Sequence, residues 1–276
     1  RQLINTKAFN CSVVFANANT GEVLISAEER GDKESINIDL MSTRAQYEPG
    51  SSLKIFSIGL ALEQGLLDEK TEYYVEDTIE LIENSCQKDF KGYKGCYRDF
   101  LKHEPYNLSV KEIIERSSNV GTIIATKDLR INDLEEFLSK FGFSKRTGIE
   151  LSGESKGSFE SNKTCTTCLS SLSIGYSINV TQMQMVKAYS IIANGGKNVD
   201  LTLIKAPYSN YSPNQVIDSN SSERLKNLLI NVVEGENGTG RSIFMENYTI
   251  GGKTGTSRTH IELSLIHISE PTRLTS

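Results

Sequence analysis

The 276-residue chain reads as an α+β protein in which strands near both ends bracket a long helical stretch. Three observations carry that expectation. Residues 12–16 and 22–26 are β-rich runs joined by Asn17-Ala18-Asn19-Thr20-Gly21, a turn sequence, which predicts a hairpin. Helix signals dominate from residue 51 to about 195. Strand character then returns at 201–204 and at 248–250, the latter leading into Gly251-Gly252-Lys253-Thr254-Gly255-Thr256. Together they imply one antiparallel sheet built from both chain ends, with a large helical insertion.

A chain of this length buries a sizeable core as one large domain or two modest ones. Its composition, 37% hydrophobic and 24% charged, is that of a soluble globular protein. A net charge of -5 gives no electrostatic reason to expect nucleic acid as a partner, and the lysines of 88–94 read as a solvated loop. No stretch of eighteen apolar residues occurs. Arg1 rather than Met at the start suggests a missing N-terminus. Residues 263–273 look like the translation of a sequencing-library adapter, so everything after about Glu262 is expected to be an artefact. His260 and His267 lie at or beyond that junction. A Ser-His-Asp triad would then have only His103 to draw on, which argues against one.

Taken in order, the polar stretch 28–37 reads as an exposed loop. Pro49 and Gly50 break the chain before a helix whose first turn holds Ser51 and whose Ile55, Ile58, Leu62 and Leu66 form one apolar face. Ser51 and Lys54 fall one turn apart on that helix, where a hydroxyl beside an amine gives a weak nucleophile a fixed base. Ser85-Cys86-Gln87-Lys88 has the same spacing, so the motif alone decides nothing. Asn107 or Ser109 can cap a helix through Val110, Ile113 and Ile114 to Ser117. Asp133 can cap 134–141, and Thr181 can cap 182–193 before the stop Asn194-Gly195-Gly196. A further helix, 222–233, precedes the turn-rich 235–240.

Five cysteines leave alternatives open. Cys165 and Cys168 have the spacing of a redox or zinc half-site, and Cys86 and Cys96 could supply a second pair. No histidine lies close to either pair, which weighs against a metal. Reduced loop cysteines of no special role and two local disulfides in an oxidising compartment both fit.

Three short motifs occur in order: Ser51-Ser52-Leu53-Lys54, Ser117-Ser118-Asn119 and Lys253-Thr254-Gly255-Thr256. Ser-x-Asn also fits at residues 35, 177 and 212, whereas Lys-Thr-Gly occurs once. Singly, Ser51 reads as a helix cap, Ser117 and Asn119 as a helix end, and Lys253 as a surface lysine. The trio is the one shared by penicillin-binding proteins and class A β-lactamases. Thr20-Gly21-Glu22-Val23-Leu24, Tyr47-Glu48-Pro49-Gly50-Ser51, Ser117-Ser118-Asn119-Val120-Gly121, Phe141-Gly142-Phe143, Ser173-Ile174-Gly175-Tyr176 and Ala193-Asn194-Gly195-Gly196 extend the match. On these residues, over about 8–258, the chain resembles the transpeptidase domain of a monofunctional (class B) penicillin-binding protein, closest to the division-specific septal type. It departs from that family at Tyr176, Ser177 and Gln182, and the segment 84–106 has no match.

The resemblance implies a penicillin-binding protein/serine β-lactamase-like fold, with 1–262 as one transpeptidase domain and 263–276 outside it. It implies a serine-type D,D-transpeptidase that cross-links peptidoglycan stem peptides ending in D-Ala-D-Ala, is acylated by β-lactams and uses neither cofactor nor metal. Ser51 would be the nucleophile and Lys54 its base. Ser117 would relay a proton to the leaving amine, and Asn119 would hold Lys54 and the substrate backbone. Lys253, Thr254 and Thr256 would bind the substrate carboxylate, while Gly255 would let the peptide approach. The backbone N–H groups of Ser51 and Thr256 would form the oxyanion hole. A place in the bacterial inner membrane, with the catalytic domain in the periplasm, is implied, with a polytopic membrane glycosyltransferase and division or elongation proteins as partners. In that setting Cys86 would pair with Cys96, and Cys165 with Cys168. The alternatives are a serine β-lactamase, against which Ser118 in place of the usual class A Asp argues, and a non-catalytic β-lactam sensor.

Overall fold

The computed structural model describes residues 10–30, 41–87, 95–160, 165–205 and 213–257. The lysine-rich loop at 88–94, most of the 28–37 loop, His260, His267 and the adapter-like tail lie outside the described residues. The chain divides into two compact units, one of residues 1–47, 139–158 and 179–222, the other of residues 48–138, 159–178 and 223–276.

In the first unit, β1 (Asn10–Ala16) and β2 (Val23–Arg30) pair antiparallel as the expected hairpin, with Phe15 opposite Ile25. Val14, Ala16 and Val23 pack on a cluster of Ile149, Met183 and Leu201. The short helix α1 (Met41–Arg44) is capped from β2, where the Glu28 carboxylate accepts the N–H groups of Met41 (2.9 Å) and Ser42 (2.8 Å). Residues 201–204 were expected to form a strand, yet they make a single parallel bridge, Thr202 to Glu22. Glu150 explains the difference: its carboxylate takes the Thr202 hydroxyl (2.6 Å) and the Leu203 N–H (2.9 Å), and the Thr202 hydroxyl accepts the Ile204 N–H, bending the chain.

The capped helix Gln182–Ala193 forms as expected, with Thr181 and Gln184 in a reciprocal capping box. Gln182, a departure from the family, meets the hairpin: its carbonyl accepts the Ser12 hydroxyl and its amide donates to the Ser12 carbonyl. Gln184 is fully buried and its amide donates to the carbonyls of Lys145 and Lys156, both at 2.7 Å.

The second unit is built around α2 (Lys54–Glu63), which follows directly from the 3-10 turn Gly50–Leu53. Every residue from Lys54 to Leu62 is buried, so the helix is enclosed on all sides rather than on one face, and Leu66 beyond its end is exposed. The stretch expected to be helical also carries short antiparallel ribbons. β3 (Glu72–Val75) pairs with β6 (Tyr106–Ser109), and β4 (Thr78–Glu80) pairs with β5 (Cys96–Arg98). Strands of three and four residues, paired across as many as thirty residues of sequence, are too short to show a period. Ser109, not Asn107, caps α3 (Val110–Arg116), again through a capping box with Glu112. Then follow α4 (Asn119–Ala125) and α5 (Ile131–Lys140). Asp133 sits inside the first turn of α5, bonded to Arg130 at 2.8 and 2.9 Å, instead of capping it. The last helix, Ser219–Glu234, begins three residues earlier than expected because Asp218 accepts the Asn220 and Ser221 N–H groups.

Residues 248–256 were expected to be a strand of a sheet shared by both chain ends. Among the described residues they join no ladder, and the hairpin is a sheet of two strands. Tyr248 turns back on Met245, and the Gly252 N–H bonds the Leu229 carbonyl of the last helix (3.0 Å). Cys86–Cys96 and Cys165–Cys168 are disulfides, which removes both pairs from metal or thiol chemistry, and Cys11 is free.

Two measurements check this fold. Replacing Gln184→Leu removes the buried amide that serves the Lys145 and Lys156 carbonyls and is expected to destabilise the protein by about 1–3 kcal/mol in urea unfolding. An unchanged midpoint would show that those carbonyls find other partners. Non-reducing peptide mapping is expected to find the two local disulfides and a Cys11 thiol, and five free thiols would contradict it.

Candidate active site

Backbone geometry places Ser51 before any chemistry is considered. The Ser52 N–H (3.3 Å) and hydroxyl (2.7 Å) both bond the Pro49 carbonyl, closing the turn that starts the helix. Gly50 adopts φ 54°, and a Cβ there would sit 2.4 Å from the Thr256 carbonyl oxygen. Gly175, at φ 87°, accepts the Gly50 N–H (3.0 Å), and its own Cβ would fall 1.9 Å from the Gly50 carbonyl oxygen. Only glycine fits either position. A Cβ on Gly255 would lie 3.0 Å from the Pro49 carbonyl oxygen and 3.4 Å from Ser52. The protein's own chain thus already crowds a side chain at 255, before any substrate approaches. Residues 253–256 lie against the Ser51 turn, as the oxyanion-hole expectation requires. Among the described residues neither the Ser51 nor the Thr256 N–H meets a backbone acceptor.

Ser117 is where the two lysines meet. α3 ends there with Ser117 in the left-handed region at φ 59°, a conformation that costs a non-glycine residue energy and turns its hydroxyl and carbonyl inward. The Lys54 ammonium donates to the Ser117 carbonyl (2.6 Å) and reaches its hydroxyl at 3.5 Å. Lys253 donates to the same hydroxyl (2.6 Å) and to the Thr254 carbonyl (3.0 Å). Both lysines are essentially inaccessible, at 0% and 1% exposure. Burial pushes Lys54 down to about 7, with the Asp99 charge working the other way. Lys253 is also held well below its usual value, by burial first and then by the charge of Lys54. A base that is neutral near pH 7, one turn from Ser51 and bonded to a hydroxyl that touches a second amine, is equipped to move a proton.

Asn119 differs from its expected role. Its amide donates to the Arg98 carbonyl (2.7 Å), and Ser117 rather than Asn119 holds Lys54. The Thr254 hydroxyl donates to Thr239 (2.9 Å), leaving Thr256 the exposed hydroxyl of the segment. The rival Ser85 lies in a turn next to the disulfide-bonded Cys86, with its hydroxyl buried and facing Gly95.

Three further residues organise the site and were not read from the sequence. Asp99, directly after β5, accepts the Ser118 hydroxyl (2.7 Å), the Asn119 N–H (2.6 Å), the Val120 N–H (3.0 Å) and His103 Nε2 (3.1 Å). It therefore caps α4 from outside, where a carboxylate is favoured. Glu115, 5% exposed, accepts the Asn231 amide and the Asn237 N–H, both at 2.7 Å, while its carbonyl accepts the Thr239 N–H (3.2 Å). It thereby fixes the loop that presents Thr239 to Thr254. All three act across long sequence gaps. The one local signal was the turn-rich Gly235-Glu236-Asn237-Gly238-Thr239-Gly240 around Thr239.

A serine on the turn that opens a buried helix, two desolvated lysines that meet at the Ser117 hydroxyl and, among the described residues, two N–H groups with no backbone acceptor are the candidate parts of an acyl-transfer centre. The family follows from comparison. Residues 11–262 match the penicillin binding protein transpeptidase domain, and the chain belongs to that family, in its class B, division-type branch. It is 28% identical to penicillin-binding protein PbpB of Mycolicibacterium smegmatis over 91% of this chain and 41% of that protein. It is 26% identical to a probable peptidoglycan D,D-transpeptidase, FtsI, of Caulobacter vibrioides over 88% and 41%. Among solved structures, penicillin-binding protein 3 of Mycobacterium tuberculosis complexed with aztreonam matches with TM-score 0.79 and 27% identity, over 93% of this chain and 60% of that one. The chain thus spans about two-fifths of the length of these two relatives, and its fold is that of penicillin-binding transpeptidase domains.

Labelling with a fluorescent penicillin tests the nucleophile. Modification is expected on Ser51 and is lost in Ser51→Ala; a label on Ser85 would refute the assignment. The acylation rate of the unaltered protein should rise with pH through about 7 as Lys54 loses its proton. Lys54→Ala should lose about 10²–10⁴-fold in that rate.

Proposed function

We propose that the chain is the catalytic part of a serine-type D,D-transpeptidase that cross-links peptidoglycan stem peptides through an acyl-enzyme on Ser51. The observation that carries this reading is the Lys54–Ser117–Lys253 cluster. Neutral Lys54 takes the Ser51 proton as Oγ attacks the penultimate D-Ala carbonyl. The resulting oxyanion rests on the Ser51 and Thr256 N–H groups, each such donor being worth about 10²–10³ in rate. Ser117, touching both amines, returns the proton to the departing D-Ala nitrogen. The terminal carboxylate of the substrate binds at Lys253, where it supplies the counter-charge the buried ammonium lacks, with Thr256 and, after rotation away from Thr239, Thr254 as hydroxyl donors. An amine from a second stem peptide then takes the acyl group.

The same acyl-serine forms with β-lactams, and the aztreonam complex of the Mycobacterium tuberculosis relative supports that class of inhibitor. The catalytic domain faces the periplasm, beside a membrane glycosyltransferase and division proteins; two disulfides suit such an oxidising compartment. Among the described residues no helix is long and apolar enough to cross a membrane.

A β-lactamase would need a carboxylate, or its equivalent, free to activate water against the acyl-serine. Two carboxylates bonded around the Ser117 turn are committed: Asp99 to four donors and Glu115 to two. The penicilloyl-enzyme is therefore expected to persist for many minutes when its mass is followed after excess competitor stops acylation. Turnover of about one per second or faster, ordinary for enzymes, would make the protein a β-lactamase. Failure to acylate at all would make it a non-catalytic relative.

A further inference from the structure

His103 stands outside the three motifs, yet it touches the residue that orders the second of them. Its Nδ1 lies 2.9 Å from the Glu104 carbonyl oxygen and its Nε2 lies 3.1 Å from Asp99 Oδ2. Both neighbours are acceptors. A neutral imidazole has one N–H and would turn a lone pair toward one of those oxygens, so only the imidazolium satisfies both contacts. The ring is 15% exposed and the Asp99 side chain 8%. The Tyr106 ring packs tilted against the imidazole, with centroids 4.4 Å apart, and the Arg116 guanidinium lies over Tyr106 at 5.4 Å. Among the described residues, the charged or titratable groups that face His103 are Asp99 after β5, Asp77 before β4 and Tyr106 on β6, with Arg116 of α3 behind Tyr106.

Asp99 spends its remaining capacity on the Ser118 hydroxyl and the N–H groups of Asn119 and Val120, and its charge also reaches Lys54. Ser118 and Asn119 directly follow Ser117, whose carbonyl and hydroxyl hold the two lysines. We propose that His103 is a positioning residue for acylation: as an imidazolium it clamps Asp99 against the start of α4, and so fixes the Ser117 turn that presents Lys54. This rests on Ser51 being the acylated nucleophile.

The sign of the pH dependence follows. The contacts to Glu104 and Asp99 raise the imidazole above its usual value, against the opposing effect of burial. The clamp is complete below the unfolded imidazole value and is lost as pH rises through the raised one. Loss of the imidazolium also leaves the Asp99 charge less compensated, which favours protonated Lys54. Both effects slow acylation on the alkaline side, while the acid limb belongs to Lys54. The acylation profile is a bell, with its acid limb set by Lys54 and its alkaline limb by His103.

The test is the second-order acylation rate with a fluorescent penicillin from pH 5.5 to 9.5, for the unaltered chain, His103→Ala and His103→Arg, each with a thermal melt. A bell is expected for the unaltered chain. His103→Ala should lose the alkaline limb and about tenfold in rate at neutral pH, an effect of the size of one lost hydrogen bond to a charged group. His103→Arg, permanently charged, should recover much of the rate and carry it to higher pH. Superimposable profiles for His103→Ala and the unaltered chain would overturn the proposal. Imidazole NMR of the full chain, with His103 assigned by difference, gives an answer that needs no acylation. His103 should titrate above its unperturbed value and shift down in Asp99→Asn. Titration at or below the unperturbed value overturns the clamp even if Ser51 proves unreactive, and a clamp without acylation would fault the nucleophile assignment instead.

Discussion

The second unit depends on one unfavourable arrangement: two lysine ammonium groups buried together against a single serine hydroxyl. Two like charges out of water repel and lose hydration, so the arrangement persists only if at least one amine gives up its proton. The enclosure of α2 on every side, rather than on one face, removes solvent from Lys54. The contact of 253–256 with Pro49 and Ser52 does the same for Lys253. The cost in folding energy and the lowered affinity of the amine for its proton are one quantity seen from two sides.

Most of the site was legible because its residues lie in short motifs whose spacing follows helix geometry. Ser51 and Lys54 are one turn apart because the Pro49–Gly50 break starts a helix there, and Thr181 and Ser109 cap the helices they precede. The strand expectations fared worse. Residues 201–204 and 248–250 have the apolar, β-branched composition of strands, but one carboxylate, Glu150, diverts the first, and hydrogen bonds of Tyr248 to Met245 and of Gly252 to Leu229 divert the second. Composition records what a segment could pair with, whereas the partner that wins is chosen by tertiary contacts. Asp133 failed as a cap for a related reason, since Arg130 three residues earlier claimed its carboxylate.

Asp99, Glu115 and Thr239 were invisible for a different reason. Each acts on a residue far along the chain, and none carries a side chain unusual enough to stand out. Glu115 lies two residues from Ser117 and still serves the 235–240 loop. Asp99 lies twenty residues before Asn119, outside the short motifs read from the sequence. In both cases a buried carboxylate accepts backbone N–H groups that would otherwise be orphaned at a helix start or a loop, and the satisfied backbone in turn holds a catalytic side chain in place.

That logic also accounts for the position of the disulfides. Cys86–Cys96 closes ten residues and Cys165–Cys168 only three, loops so short that the entropy removed from the unfolded chain falls below the roughly 3 kcal/mol typical of a fifteen-residue loop. Global stability is therefore a poor reason for either. Their local connections are more informative. Cys96 opens β5, whose Tyr97 hydroxyl bonds Ser171 (2.7 Å) and reaches the Thr167 carbonyl beside Cys168. The next two residues, Arg98 and Asp99, receive Asn119. A few residues beyond Ser171, Gly175 accepts the Gly50 N–H next to Ser51. One strand and one short segment, each pinned by a disulfide and joined through Tyr97, thus reach the active site from the Asn119 side and from the Ser51 side. The two bonds restrict the backbone where misplacement of about 1 Å is expected to matter most to catalysis.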